Sequence, residues 1–252
     1  MNIQWDAGQY VQNFSFVHQY GRDLLELIEN PGGLRVLDLG CGTGELTCQL
    51  HERGMNPLGM DASPDQLKIA RANYPEFVFF QGDATDFSLD KPVDVVFSNA
   101  VLHWIDGDRH PRMLEKVHAA LRPEGQFVFE FGGAGNNLQI HEALRKGFEK
   151  RGYPYSHAFY FPSIGEYTPR LEAAGFKVVF ARLFDRFTEL EGDNGLYDWI
   201  RMFIKIPFID IPGEEQEAII QEALLDLEKS LYREGKWHAD YVRIRCKAIK
   251  NP

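Results

Sequence analysis

The sequence predicts an α/β fold with a mostly parallel sheet and helices on both faces. Three observations predict it. Apolar strand-like runs alternate with helix-periodic segments from residue 34 to 131, which is the pattern of consecutive βαβ units. The first run, Val36-Leu37-Asp38-Leu39, opens into Gly40-Cys41-Gly42-Thr43-Gly44 and then into a helix-like segment. After the next strand, Ser63-Pro64 supplies an N-cap and a first helical position.

Taken in order, residues 8–29 carry Tyr10, Phe14, Val17, Tyr20, Leu24, Leu27 and Ile28 at helical spacing, stopped by Asn30-Pro31-Gly32-Gly33. Strands are expected at 34–39, 56–60, 77–80, 93–98 and 126–131, and helices at 43–53, 64–73 and 110–121. Gly132-Gly133-Ala134-Gly135 reads as a hinge, followed by a helix over 138–151 and an aromatic, proline-broken run over 153–161. A helix at 165–174, a strand at 176–182, helical stretches near 194–205 and 214–233 and a strand at 241–249 complete the chain.

Composition narrows the function. The chain has 252 residues and a formal charge of −10, with its basic residues scattered singly. Phosphate binding needs clustered cations, so a nucleic-acid partner is not expected. There is no N-terminal apolar h-region and no long uncharged apolar run, so neither secretion nor a membrane span is expected. Cysteines 41, 48 and 246 lack metal-ligand or disulfide spacing, so no metal is expected and the reduced cytoplasm is the expected compartment.

The glycine loop reads as a nucleotide-cofactor site, because glycines let the backbone turn tightly and approach a ligand. A dinucleotide fingerprint places a third glycine where this chain has Glu45. A carboxylate there suits the helix N-terminus but repels a pyrophosphate. The loop therefore prefers a ligand with a cationic or zwitterionic end.

Four motifs then stand in order. LDLGCGTG is followed by GMDAS, by Gln81-Gly82-Asp83-Ala84 after Phe77–Phe80, and by Ser98-Asn99-Ala100-Val101-Leu102-His103-Trp104 after Val93–Phe97. Over residues 34–131 the chain resembles the class I S-adenosylmethionine methyltransferases. The resemblance implies a Rossmann-like, seven-stranded, mostly parallel sheet whose last two strands form an antiparallel hairpin, with a helical cap. It divides one domain, 1–252, into an N-terminal helix (1–33), a cofactor-binding core (34–131) and a substrate-side cap with the final strands (132–252). It also implies S-adenosylmethionine as methyl donor and S-adenosylhomocysteine as product. By the same resemblance Gly40, Cys41 and Gly42 meet the methionine portion, Asp61 the ribose, Ala62 the adenine face, and Asp83 with Ala84 the adenine edge. Ser98 and Asn99 face the donor from the fourth strand, and Tyr10 closes over it from the leading helix. Asp38 is read as holding the loop by hydrogen bonds.

On the acceptor side, His103 is the catalytic candidate, as a proton acceptor or a holder of a carboxylate, against a plain reading as a buried histidine satisfied by backbone. Trp104, Glu130, Tyr160 and Trp199 are candidate pocket residues, Glu130 also as a second base. FSNAVLHW, the later LRPEGQFVFE and the opening Trp5-Asp6-x-x-x-Tyr10 resemble the trans-aconitate and juvenile hormone acid methyltransferase group, which methylates carboxylates of small molecules. Glu124-Gly125 stands where that group has Gly-Gly. The end of the fourth strand carries neither Asn/Asp-Pro-Pro-Tyr/Phe nor Pro-Cys, which disfavours amide, adenine and covalent cytosine methylation. The expectation is methyl transfer to a small-molecule oxygen such as a carboxylate, by a monomer or homodimer. The alternatives are a non-catalytic adenosyl-cofactor-binding regulatory protein and a nicotinamide oxidoreductase, and a deep cavity reaching His103 discriminates against the first.

Overall fold

The computed structural model describes residues 23–30 and 32–252. Most of the helix expected over 8–29, with Tyr10 and Phe14, lies outside them. Residues 23–25 are helical and 26–27 form a turn, so the helix ends before residue 29. Leu27 and Ile28 donate to the carbonyls of Leu24 and Leu25, three residues back, which closes the last turn tightly. Leu24, Leu25 and Ile28 are all buried, so the apolar spacing outlasts the helix itself.

The first half alternates as expected: β1 (Arg35–Leu39), α1 (Glu45–Glu52), β2 (Asn56–Asp61), α2 (Pro64–Asn73), β3 (Val78–Gln81), β4 (Val93–Asn99), α3 (His110–Ala120) and β5 (Leu121–Gly132). Ser63 accepts from the Gln66 amide at 3.3 Å and so fixes the start of α2, with Pro64 in its first turn. β5 begins earlier than expected. Its pairing with β4 shifts register between Val93↔Leu121 and Val95↔Gln126, and Glu124 within that break has φ 62. The second half adds α4 (Leu138–Lys150), α5 (Ile164–Ala173), β6 (Phe176–Glu189), α6 (Gly195–Phe203), α7 (Gly213–Leu231), β7 (Tyr232–Arg233) and β8 (Lys236–Lys250).

The strand order is β3-β2-β1-β4-β5-β8-β6, with the two-residue β7 paired to β8. Strands β1 to β5 are parallel, and β8 runs antiparallel to both β5 and β6. β1 and β4 are buried almost throughout, as strands covered on both faces must be. On one face Leu37, Leu39, Val96, Phe127 and Phe129 pack with Met113, Leu114 and Tyr167 from the helices. On the other, Val36, Val95, Phe97 and Val128 pack with Leu24, Leu46 and Leu50.

The last hairpin is longer than the sequence predicts. β5 pairs with β8 as far as Gly132↔Arg243, whereas β6 and β8 continue together to Glu189↔His238. A two-stranded arm thus leaves the sheet. Its far end turns back on α7 through Glu234 and Gly235, both at positive φ (53° and 79°), the conformation a two-residue hairpin turn requires. The arm carries the cap: Ala239 and Tyr241 share a second core with Leu144, Leu196, Ile200 and Ile219 from α4, α6 and α7. Among the described residues no helix is long and apolar enough to cross a membrane.

Candidate active site

Strand order reverses at β1, whose neighbours are β2 and β4, so the loops leaving their carboxyl ends diverge and open a crevice. Gly40 and Cys41 both donate their amides to the Met60 carbonyl, at 2.7 and 3.0 Å, which pins the glycine loop to β2. Gly40 has φ +79, and a Cβ there would strike the Val101 side chain at 2.2 Å. Gly42 is constrained differently: its φ is +56, but a Cβ would meet only Gln66 Oε1 at 3.5 Å, on a side facing open space.

Asp61, at the end of β2, accepts from the Gly42 amide at 2.9 Å and from the Ser63 amide at 2.8 Å. Burial raises its pKa against these backbone hydrogen bonds. The carboxylate therefore ties the glycine loop to α2 as well as facing the cavity. Asp38 is 1 % exposed and accepts from Thr47 Oγ1 at 2.6 Å. Burial, and then the charges of Asp61 and Glu45, push its pKa up to about 7 despite that bond.

A cavity of about 1090 Å³, mouth included, joins Gly40, Gly42 and Asp61 to His103, Trp199 and Arg243. Cys41, Asn99 and Trp104 also line it. A second hollow shares Gly40, Asp61 and Val101 with the first and is lined by Ala62, Asp83 and Ala84. Asp83 accepts from the Thr85 amide and hydroxyl, both at 2.8 Å, and from Arg109 at 3.4 Å. Partial burial works to raise its pKa, but these bonds and the Arg109 charge prevail and lower it.

His103 sits in a short 3-10 turn, Leu102–Trp104, just past β4. Its Nδ1 accepts from the Gly132 amide at 3.3 Å. An amide can only donate, so the neutral ring carries its proton on Nε2. Burial, with the Arg243 charge adding to it, holds the pKa well below the usual histidine range. With Nδ1 occupied by the Gly132 amide, the neutral ring has its N–H on Nε2.

Three sequence-predicted residues line neither hollow. Ser98 is fully buried and donates to the Leu39 carbonyl at 2.8 Å, joining β4 to β1. Glu130 points to the other strands of the sheet, where it accepts from Arg245 Nε at 2.7 Å and is bridged by Arg186. Both guanidiniums thus hold it within the sheet, away from the two hollows. Tyr160 packs beside His110, with ring centroids 4.6 Å apart, behind the wall that Phe159 and Phe161 form. In an extended run neighbouring side chains point to opposite sides, so the residues on either side of Tyr160 face the cavity instead. Tyr10 lies outside the described residues.

Sequence reasoning missed Arg243, Asn136 and Asn137. The Arg243 guanidinium is 4.1 Å from the Tyr241 ring centroid and donates to Asn136 Oδ1 at 3.0 Å. A signal existed: Arg243, Arg245 and Lys247 fall at alternate positions of one strand, a face that needs partners if it is buried.

The site fits an adenosyl donor. Gln66 Oε1 and Asn137 Oδ1 are buried polar atoms on the cavity wall without a hydrogen-bond partner, and the face of Gly42 is open. The fold and site together define a class I methyltransferase. Residues 36–125 match the family model of a methyltransferase domain. The chain is 33 % identical to the uncharacterized methyltransferase C70.08c of Schizosaccharomyces pombe over 98 % of both chains. It is 40 % identical to a trans-aconitate 2-methyltransferase of Deinococcus radiodurans over 82 % of this chain and 83 % of that one. In fold it is similar to the YcgJ protein of Bacillus subtilis, with TM-score 0.61 at 18 % identity over 93 % of this chain and 99 % of that one. It is also similar to an S-adenosylmethionine-dependent methyltransferase of Mesorhizobium loti, with TM-score 0.55 at 20 % identity over 91 % and 96 %. The chain belongs to the S-adenosylmethionine-dependent methyltransferase family, with that donor as its cofactor.

Proposed function

We propose that this enzyme methylates a carboxylate oxygen of a small molecule. One observation carries the reading: the Gly132 amide fixes His103 as a neutral Nε2–H donor on the cavity wall. A hydroxyl or ammonium acceptor needs a base to remove its proton, whereas a carboxylate is already ionised at neutral pH. Bound S-adenosylmethionine supplies a methyl group activated by the sulfonium charge. With a carboxylate acceptor no proton would have to be removed, so the residues lining the cavity would only have to hold the acceptor oxygen in line with that methyl group.

The chain's own task is then to hold and shield. Asp61 would take the ribose hydroxyls, Gly40, Cys41 and Gly42 the methionine portion, Ala62, Asp83 and Ala84 the adenine, and Asn99 the region of the methyl. Tyr10 remains the candidate to close from the N-terminal side. His103 would donate to one acceptor oxygen while Trp104 and Trp199 exclude water. Such positioning supplies about 7–11 kcal/mol in well-oriented reactions. The relatives named for trans-aconitate support a carboxylate acceptor. The reading takes residues 1–252 as one cytoplasmic unit, monomeric or homodimeric, with its cofactor half before residue 132.

The test is a donor-turnover screen over small carboxylic acids, phenols and amines, with the product identified by mass spectrometry. Methyl esters are expected, with rates at saturating donor and acceptor unaffected by pH between 7 and 9. Turnover confined to phenols or amines would overturn the reading.

A further inference from the structure

We infer that the acceptor carries, apart from the carboxylate that is methylated, a hydroxyl or other proton-bearing polar group, and that Asn137 selects for it. This rests on the carboxylate reading above and goes beyond it to the substitution pattern of the substrate.

The first support is a hydrogen bond that the protein leaves unmade. Asn137 is 3 % exposed and lines the cavity together with Asn136 and His103, yet its Oδ1 is buried without a hydrogen-bond partner. An unpaired buried oxygen is costly, and a ligand that brings an N–H or O–H to it removes the cost. A carboxylate only accepts, so the group that is methylated cannot serve.

The second support is that the fold has no use for this oxygen. Asn137 stands at the N-cap of α4, where an asparagine ordinarily spends its side chain on the first turn, but it makes no such bond. Asp240 takes that place: its Oδ2 accepts from the Gln139 amide at 2.8 Å, and its carbonyl receives the Asn137 amide at 2.9 Å. Asp240 Oδ1 is unpaired as well, but burial raises that carboxyl only to about 6, so at neutral pH it is largely ionised and has no proton to lend Asn137. The backbone of Asn137 is left-handed, at φ 53, a conformation that asparagine tolerates better than most residues.

The third support is location. The other unpaired oxygen on the wall, Gln66 Oε1, stands 3.5 Å from where Gly42 would carry a Cβ, at the glycine loop and so at the donor end. Asn137 belongs to the opposite end, tied to β8 and following the turn that begins at Gly132, whose amide bonds His103. Its neighbour Asn136 has the reverse polarity. Asn136 Oδ1 accepts from the Val242 amide and from Arg243 Nη1, both at 3.0 Å, so its amide nitrogen is the part suited to a carboxylate. Two successive residues thus match the two polar groups of a hydroxy acid.

The experiment measures kcat/KM with S-adenosylmethionine for mandelate, phenylacetate and α-methoxyphenylacetate on the full chain, at a pH where Asp240 is ionised and with products identified by mass spectrometry. Mandelate is expected to exceed both other acids by at least about tenfold, the factor that an unpaired buried group produces. Asn137→Gly removes the oxygen and accepts the left-handed backbone; it should lower the rate on mandelate until the three acids differ by no more than about twofold, with donor affinity unchanged. Asn137→Asp, which keeps an acceptor oxygen, should slow all three and leave mandelate ahead. Equal rates on the three acids in the unaltered enzyme, a mandelate preference that survives in folded Asn137→Gly, weakened donor binding by that variant, or no turnover of any of the three overturns the inference. Methylation of mandelate at its hydroxyl, giving the ether in place of the ester, would instead overturn the carboxylate reading itself.

Discussion

Asp61 receives backbone amides from Gly42 and Ser63 before any ligand arrives, so its removal would loosen the loop as well as remove the proposed contact to the ribose. Hydrogen bonds to a charged group contribute about 1.5–3 kcal/mol each. Asp61→Ala should therefore weaken S-adenosylmethionine binding by about a hundredfold or more in calorimetry, and unchanged affinity would sink the assignment. Asp38 gives a pH signature. Its folded pKa, pushed up to about 7 by burial, lies above the ordinary carboxylate range of an unfolded chain. Its contribution to stability is thus complete below the ordinary range and is lost as pH rises through 7. Melting of the ligand-free protein should fall from pH 5 to 8, while a cationic donor, which favours ionised Asp38, should bind more tightly over the same interval. Titration at constant ionic strength checks both slopes. The sequence made Asp38, Asp61 and the glycines legible because motif order fixes them. The tautomer of His103 was not legible, since it depends on the Gly132 amide, 29 residues away.

Elements test the turns and the buried pairs. Glu124 sits at φ 62 in the break of β5, where the group this chain resembles carries glycine. A left-handed conformation costs a non-glycine residue about 1–2 kcal/mol, partly offset by the greater chain entropy that glycine loses. Glu124→Gly should raise stability by up to about 1 kcal/mol in urea unfolding with activity unchanged. Glu130 links three strands: it lies on β5 and is bridged to Arg245 on β8 and Arg186 on β6. Its side chain is 2 % exposed, and those of the arginines 10 and 12 %. Removing one partner of a buried ion pair costs about 3–5 kcal/mol, so Glu130→Gln should unfold at lower denaturant, and a midpoint equal to that of the parent would refute the role. Strands β1 to β4 were readable from continuous apolar runs. The extra length of β6 and β8 was not, because Asp185, Arg186, Lys236 and Asp240 look like loop until a partner strand supplies their hydrogen bonds.

Across the whole molecule, residues that line the cavity come from distant parts of the chain: His103, Asn136, Phe159, Trp199 and Arg243. Topology alone brings them together, which is why the cofactor half was legible in one sequence and the acceptor half was not. The strand β8 belongs to both cores, with Ile244 and Cys246 in the sheet core and Ala239 and Tyr241 in the cap core, and Arg243 lies between them. This arrangement separates two inheritances. Arg243 is part of the framework strand, while Trp199 and Phe203 ride on α6, in a segment running from Gly195 to Leu231 that adds no strand to the parallel sheet. Exchange of that segment would remake one wall of the cavity while leaving the strand that closes the sheet intact.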